Sequence, residues 1–257
     1  TSISEIKTRC RSTILARIII KKKPTHVKNF AHLSVERRGS ALWIYFNRPE
    51  VKNALTLPMA TEFLQAVRSA VKDREAAVIV ISGKGSALSA GGDIKKMSET
   101  PTSKALKGFF LKISKVVHTA VEEMRRSDKP FLAAVPGFVG GIAFGMILGT
   151  DLRIASSKAQ FCAATIRLGL VANGSATWHL PRMIGLARAS EVLFLGDVVS
   201  AEQALQWGMI NRVVSPEQLE TETQDFALRL ASAPRKALGR LKKILHASLT
   251  STLPAQL

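Results

Sequence analysis

Two glycine-rich stretches hold the residues best suited to chemistry by the main chain. One is Leu88-Ser89-Ala90-Gly91-Gly92-Asp93-Ile94; the other runs from Pro136-Gly137 through Gly140-Gly141 to Gly145. Each follows an apolar run that reads as a buried strand. Glycine lets a backbone approach a ligand closely, and a helix starting after Gly141 would aim N–H groups at negative charge. The small-residue apolar segment after Gly140-Gly141, which carries Gly145 and Gly149, has no polar face, so a helix there lies inside the protein. Taken alone, the pattern fits an α/β protein with no site at that place equally well. The two cysteines, Cys10 and Cys162, give neither a disulfide framework nor metal-ligand spacing.

The elements that must position these loops can be read from periodicity. From residue 33, LSVERRGSALWIYFNRP reads as two strands around an Arg38-Gly39 turn. Leu57, Phe63, Leu64, Val67 and Val71 fall near one face of a helix over 57–71. Residues 77–82, AVIVIS, form a continuous apolar strand of the kind found in sheets covered on both faces. A loop over 83–94, a helix over 105–124 and a strand over 131–135 follow, and 152–155 continues the sheet. Beyond residue 177 the pattern is helical over 187–195, 201–207, 217–231 and 235–248, with one strand over 210–214. This order, ββα units followed by helices, predicts one α/β domain.

With 257 residues, 46% of them hydrophobic, the chain can bury one substantial core. The formal charge of +18 is gathered at the ends. Residues 1–30 hold eight Lys/Arg against Glu5, and residues 234–257 hold five with no acid. Basic ends attract nucleic acid, anionic membrane or polyphosphate ligands, although solvated surface is the plainer reading. The composition of 1–30 suits a mitochondrial presequence, which places the protein in the mitochondrial matrix or a bacterial cytoplasm. No apolar run approaches bilayer length.

Taken together, the two glycine loops, Asn47-Arg48-Pro49, Lys52-Asn53-Ala54-Leu55, AQF at 159–161, LPRMIG at 180–185 and SAEQALQWGMINRVV at 200–214 resemble the enoyl-CoA hydratase/isomerase (crotonase) superfamily. The resemblance covers about residues 33–247. It implies a basic extension over 1–30, a crotonase-like ββα spiral over 31–198, and a helical oligomerisation region over 199–257. Family members continue past this point with a further helix, which is either absent here or lies beyond the given sequence. The resemblance also implies an acyl-CoA substrate, no metal, no cofactor beyond the coenzyme A of the substrate, and a trimer or dimer of trimers. The oxyanion-hole donors would be the N–H groups of Gly92 and Ile142. Ile142 stands where the family usually has glycine, so its branched side chain narrows or redirects the acyl pocket. Lys52, Ala54, Ala90, Gly92, Asp93, Ile94, Gly141 and Ile142 fall along the expected coenzyme A and substrate cleft. Asp93 is expected to brace its loop, and Asp151 matches a structural aspartate.

The usual pair of catalytic glutamates is missing. Their positions fall on Gly145 and Thr165, neither of which transfers a proton at neutral pH. General acid–base catalysis contributes about 10²–10⁴-fold per group, so hydration by the usual route is expected to be poor. On this reading Gly145→Glu with Thr165→Glu restores some of it. The dehalogenase branch has a nucleophilic aspartate where this chain has Asn173. His118, His179, Cys162 and Arg167 are candidate substitutes, each with packing or surface placement as its first reading. An enzyme acting on acyl-CoA thioesters ranks first, whether as hydratase/isomerase, decarboxylase or hydrolase. A catalytically weak or inactive acyl-CoA-binding protein, kept for ligand sensing or assembly, ranks second, and RNA binding through the basic ends ranks last.

Overall fold

The computed structural model describes residues 25–99 and 102–256, so residues 1–24 of the 1–30 stretch read as a presequence lie outside the described residues. Its frame is a seven-stranded sheet in the order β1-β2-β3-β4-β6-β8-β11. The strands are β1 (Thr25–Asn29), β2 (Leu33–Arg38), β3 (Ala41–Phe46), β4 (Val78–Gly83), β6 (Phe131–Val135), β8 (Leu152–Ser156) and β11 (Arg212–Val214). From β3 onward every pairing is parallel. A smaller sheet, in the order β10-β9-β7-β5, is made of three-residue strands: β5 (Ala87–Ser89), β7 (Phe138–Gly140), β9 (Gln160–Cys162) and β10 (Val198–Ser200).

The chain spirals between the two sheets. It passes from β4 to β5, from β6 to β7 and from β8 to β9, and each pair of strands leads into helix. The helices are α1 (Leu57–Lys72), α2 (Ile94–Ser98), α3 (Ser103–Arg126), α4 (Gly141–Leu148), α5 (Ala176–Leu195), α6 (Ala201–Gln206), α7 (Leu219–Ala231), α8 (Arg235–Ala247) and the short α9 (Leu253–Gln256). Alternation within the large sheet explains its unbroken apolar runs. Leu42, Ile44 and Phe46 enter the core shared with α1, α3 and α4, while Ala41, Trp43 and Tyr45 pack on the far side beneath Leu219 and Ala227 of α7. Both faces are covered, so neither needs polar residues.

Two boundaries differ from those the sequence suggests. β1 lies inside the stretch assigned to the basic extension and pairs antiparallel with β2. The helical region over 199–257 is not separate from the spiral: β11 extends the main sheet beside β8, and α7 covers the back of it. α5 starts earlier than expected and bends at Gly185, whose φ is +79°.

Candidate active site

The loop 88–94 is held from beneath by Asn53. This residue is fully buried in a left-handed conformation (φ 54°), which Asn tolerates better than most residues. Its Nδ2 donates to Ala87 O (2.8 Å) and Lys84 O (3.0 Å), and its Oδ1 accepts from Arg48 N–H (2.7 Å). Ser89 Oγ donates back to Asn53 O at 2.7 Å. Leu55 N–H donates to Gly91 O (2.7 Å) and Asp93 N–H to Leu55 O (3.0 Å). This bridge leaves the intervening Gly92 N–H turned away from Leu55. The sequence marks Asn53 only as part of a motif; in the structure it is the hub that fixes the loop.

The second loop meets the first across a contact only glycine allows. Gly91 has φ +90°, and a Cβ on it would sit 2.7 Å from Gly140 O. Gly141, with φ +52°, turns the chain from β7 into α4, whose residues from Ile142 to Leu148 are all buried. The first N–H groups of a helix have no partner within it, and no capping side chain serves α4. Among the described residues neither Gly92 N–H nor Ile142 N–H has a protein acceptor.

Both residues line one cavity of about 730 Å³. Its walls are mostly apolar, with Met97, Leu106, Phe110, Ile113, Phe138 and Leu170 prominent and the exposed Lys107 the one charged residue among the lining. Ala90, Ile94 and Gly141 also line it, as do Cys162, Thr165 and Asn173. The Met97 Cε methyl packs on Gly92, only 2.3 Å from where a Cβ would lie. Ile142, 7% exposed, is part of the wall.

Several residues singled out from the sequence do not line this cavity. Lys52 is exposed and Ala54 is buried beneath the loop, and neither lines the cavity. Asp93 does not line it either. Its carboxylate accepts from Lys96 N–H (3.2 Å) as the cap of α2 and pairs with Arg48 at 3.3 Å, so it braces the loop. Arg167 is exposed and pairs with Asp197 at 2.5 Å. Asp151 is structural: it accepts from Phe131 N–H (2.8 Å) and meets Lys242 Nζ (2.8 Å) and His246 (3.3 Å). Burial opposes its charge, but His246, Lys242 and the Phe131 N–H outweigh that and hold its carboxyl below the ordinary range.

The position of Gly145 overturns one expectation. A Cβ there would lie 2.0 Å from Asn173 O and 2.8 Å from Gly174 C, both main-chain atoms. The 173–174 peptide thus occupies the room an acid side chain at 145 would need, and Gly145→Glu cannot be seated on this backbone. Thr165 remains on the cavity wall with its Oγ1 donating to Ala163 O (3.3 Å). Asn173 is the polar group that sequence alone did not single out for its contacts. Its Oδ1 lies 2.6 Å from His118 Nε2, and its Nδ2 donates to Ser114 Oγ at 2.5 Å. His179 is buried, its Nδ1 2.8 Å from Ser175 Oγ. Burial, reinforced by Arg125, pushes its pKa down to about 4, so it is neutral at pH 7. Cys162 is buried, and its thiol donates to Gly196 O at 3.5 Å.

A spiral of ββα units that brings two glycine loops to one apolar cavity defines the crotonase class of α/β protein. Within it, the chain belongs to the enoyl-CoA hydratase/isomerase family, whose model matches residues 36–257. It is 32% identical over 222 residues to a 4-chlorobenzoyl coenzyme A dehalogenase-2 from an Arthrobacter species, spanning 86% of this chain and 80% of that one. It is 33% identical over 211 residues to the 1,2-epoxyphenylacetyl-CoA isomerase of Escherichia coli K12, spanning 82% and 80%. Among solved structures it is similar to subunit I of an enoyl-CoA hydratase from Geobacillus kaustophilus, with TM-score 0.81 and 33% identity over 89% of this chain and 86% of that one.

Proposed function

We propose that this chain binds acyl-CoA thioesters and acts on them by stabilising negative charge on the thioester oxygen with the N–H groups of Gly92 and Ile142. The observation that carries the reading is the pair of unpartnered amides on the wall of an apolar cavity. A thioester carbonyl that becomes an enolate or a tetrahedral oxyanion needs donors fixed in advance, each worth roughly 10²–10³-fold in related acyl transfer. The chain's relatives act on coenzyme A thioesters by their names, which supports the same substrate class here. Coenzyme A enters as part of the substrate, along the side of the cavity that carries Ala90, Gly92 and Ile94.

Within the family, enoyl-CoA hydration or isomerisation is the default reaction, and it runs here without the usual acids. Thr165 cannot transfer a proton at neutral pH, and the backbone at 173–174 stands against Gly145. Slow turnover, or binding with none, is favoured over fast hydration by that one packing fact. A trimer or dimer of trimers, in a bacterial cytoplasm or mitochondrial matrix, completes the proposal. Among the described residues no helix is long and apolar enough to cross a membrane.

The test pairs calorimetry with mass spectrometry on a panel of acyl-CoA and enoyl-CoA thioesters. Binding of at least one thioester is expected, with crotonyl-CoA hydrated slowly. Gly92→Pro, which removes one amide proton, is expected to abolish whatever turnover is found. Full activity in Gly92→Pro would refute the donor role, and rapid crotonyl-CoA hydration would show that an acid has been missed.

A further inference from the structure

The apolar cavity has a neighbour of different character. A cleft of about 690 Å³ lies between the C-terminal half of α3 and the start of α5, and Val171 and Asn173 line both spaces. Arg125, Arg126, His118 and His179 line the cleft, and Glu122 is the one acid among its lining residues. Glu122 is already engaged by Arg126 at 3.2 Å, one helical turn away.

Arg125 has no such carboxylate. It is half-buried; its Nη1 faces His246 Nε2 at 3.3 Å, and its guanidinium lies 4.9 Å from the centre of the Trp178 ring. No ion pair forms at it among the described residues, although Asp151 lies near enough to be felt. His179 is 5% exposed, and its Nε2 has no hydrogen-bond partner. That atom is itself buried, so His179 borders the cleft without offering it a hydrogen bond.

We propose that the cleft is a subsite for the acidic distal end of an acyl group, with Arg125 its charge partner and Asn173 the divider between an apolar and a basic chamber. The substrates are then CoA thioesters of dicarboxylic acids. The inference rests on the acyl-CoA reading of the first cavity. An ordinary acyl chain ends among Phe110, Ile113 and Leu170. A carboxylate stopping there lies among apolar groups, and the one cation lining this cavity, Lys107, is solvent-exposed, so an acid end is disfavoured at that depth. Past Asn173, whose side chain is held by His118 and Ser114, it meets the guanidinium that lacks an anion.

The test is calorimetric titration of the whole chain with thioesters matched in length: butyryl- against succinyl-CoA, hexanoyl- against adipyl-CoA, and octanoyl- against suberyl-CoA. At one or more lengths the diacid thioester is expected to bind about tenfold tighter, the scale of one hydrogen bond to a charged group. Arg125→Met is expected to bring that ratio near one, and Arg125→Lys to keep part of it. A merely structural role for Arg125 would weaken both members of each pair alike and leave the ratio unchanged, which overturns the proposal. So does a wild-type ratio of one or less at every length while the monoacid thioesters bind, a result that leaves the acyl-CoA reading intact. If none of the six thioesters binds, the acyl-CoA reading falls and this inference with it.

Discussion

Gly145→Ala probes the tightest packing in the site. The new Cβ would lie 2.0 Å from Asn173 O, 2.8 Å from Gly174 C and 3.0 Å from Asn173 C. All three are main-chain atoms, so no side-chain rotation relieves the clash. Ordinary contact begins at 3.4 Å, so the 173–174 peptide must withdraw by more than roughly 1 Å. That peptide is tied on its other side. Asn173 bonds His118 and Ser114, and Ser175 Oγ donates to Gly145 O at 3.0 Å. Overpacking costs about 1–3 kcal/mol, and each disturbed hydrogen bond about 0.5–1.5 kcal/mol. The expected loss is therefore about 2–5 kcal/mol, or roughly 5–15 °C in Tm for a chain of this size. Gly108→Ala is the control, since it lies within α3 and its Cβ would meet nothing within 4 Å. The same change there is expected to stabilise by about 0.5–1 kcal/mol. Urea and thermal unfolding of the two variants beside the wild type decides the matter. A Gly145→Ala protein within about 0.5 kcal/mol of wild type would refute the packing argument.

The other predictions concern charge and volume. Because His179 titrates near 4 when folded and near 6.5 when unfolded, the unfolded chain binds the extra proton first. Stability should then fall by about 3 kcal/mol as pH drops from 6.5 to 4. His179→Gln is expected to flatten that slope in urea midpoints measured across the interval, and an unchanged slope would assign it to other groups. Lys242 is buried and binds Asp151 Oδ2 (2.8 Å), Met124 O (2.7 Å) and Lys129 O (3.0 Å). Lys242→Met leaves the Asp151 charge under-compensated, and a cost of about 3–5 kcal/mol is expected in guanidinium unfolding. A loss below about 1 kcal/mol would show that His246 and the Phe131 N–H suffice. Ile142→Ala opens the cavity wall, so the affinity ratio of branched to straight-chain acyl-CoA should rise; a constant ratio would place the acyl group elsewhere.

The large sheet was legible because burial on both faces writes itself as unbroken apolar runs, such as 77–82 and 131–135. The small sheet was not, since strands of three residues carry no period to read. β1, with the sequence THVKN, escaped for a related reason: pairing along one edge of a sheet demands little of side chains. In the site, the glycine loops could be found because close approach of two backbones demands glycine at Gly91. What faces Gly145 could not, because the opposing carbonyl belongs to Asn173, whose position depends on the turn between β9 and α5. Asp93 shows the same limit. Its place in the motif was plain, but only the folded chain reveals that Arg48 and the cap of α2 claim its carboxylate.

The free amide protons of Gly92 and Ile142 belong to the main chain, and this bears on how the site can be damaged by inheritance. Only proline deletes a peptide N–H, and no single-nucleotide change converts a glycine or an isoleucine codon to proline. Point mutation can crowd the cavity, shift a loop or unfold the protein, yet it cannot remove either donor in one step. An alanine scan would be blind to them for the same reason. Beside Gly92→Pro, the role proposed for them is tested most cleanly by replacing an amide with an ester, which leaves every side chain in place.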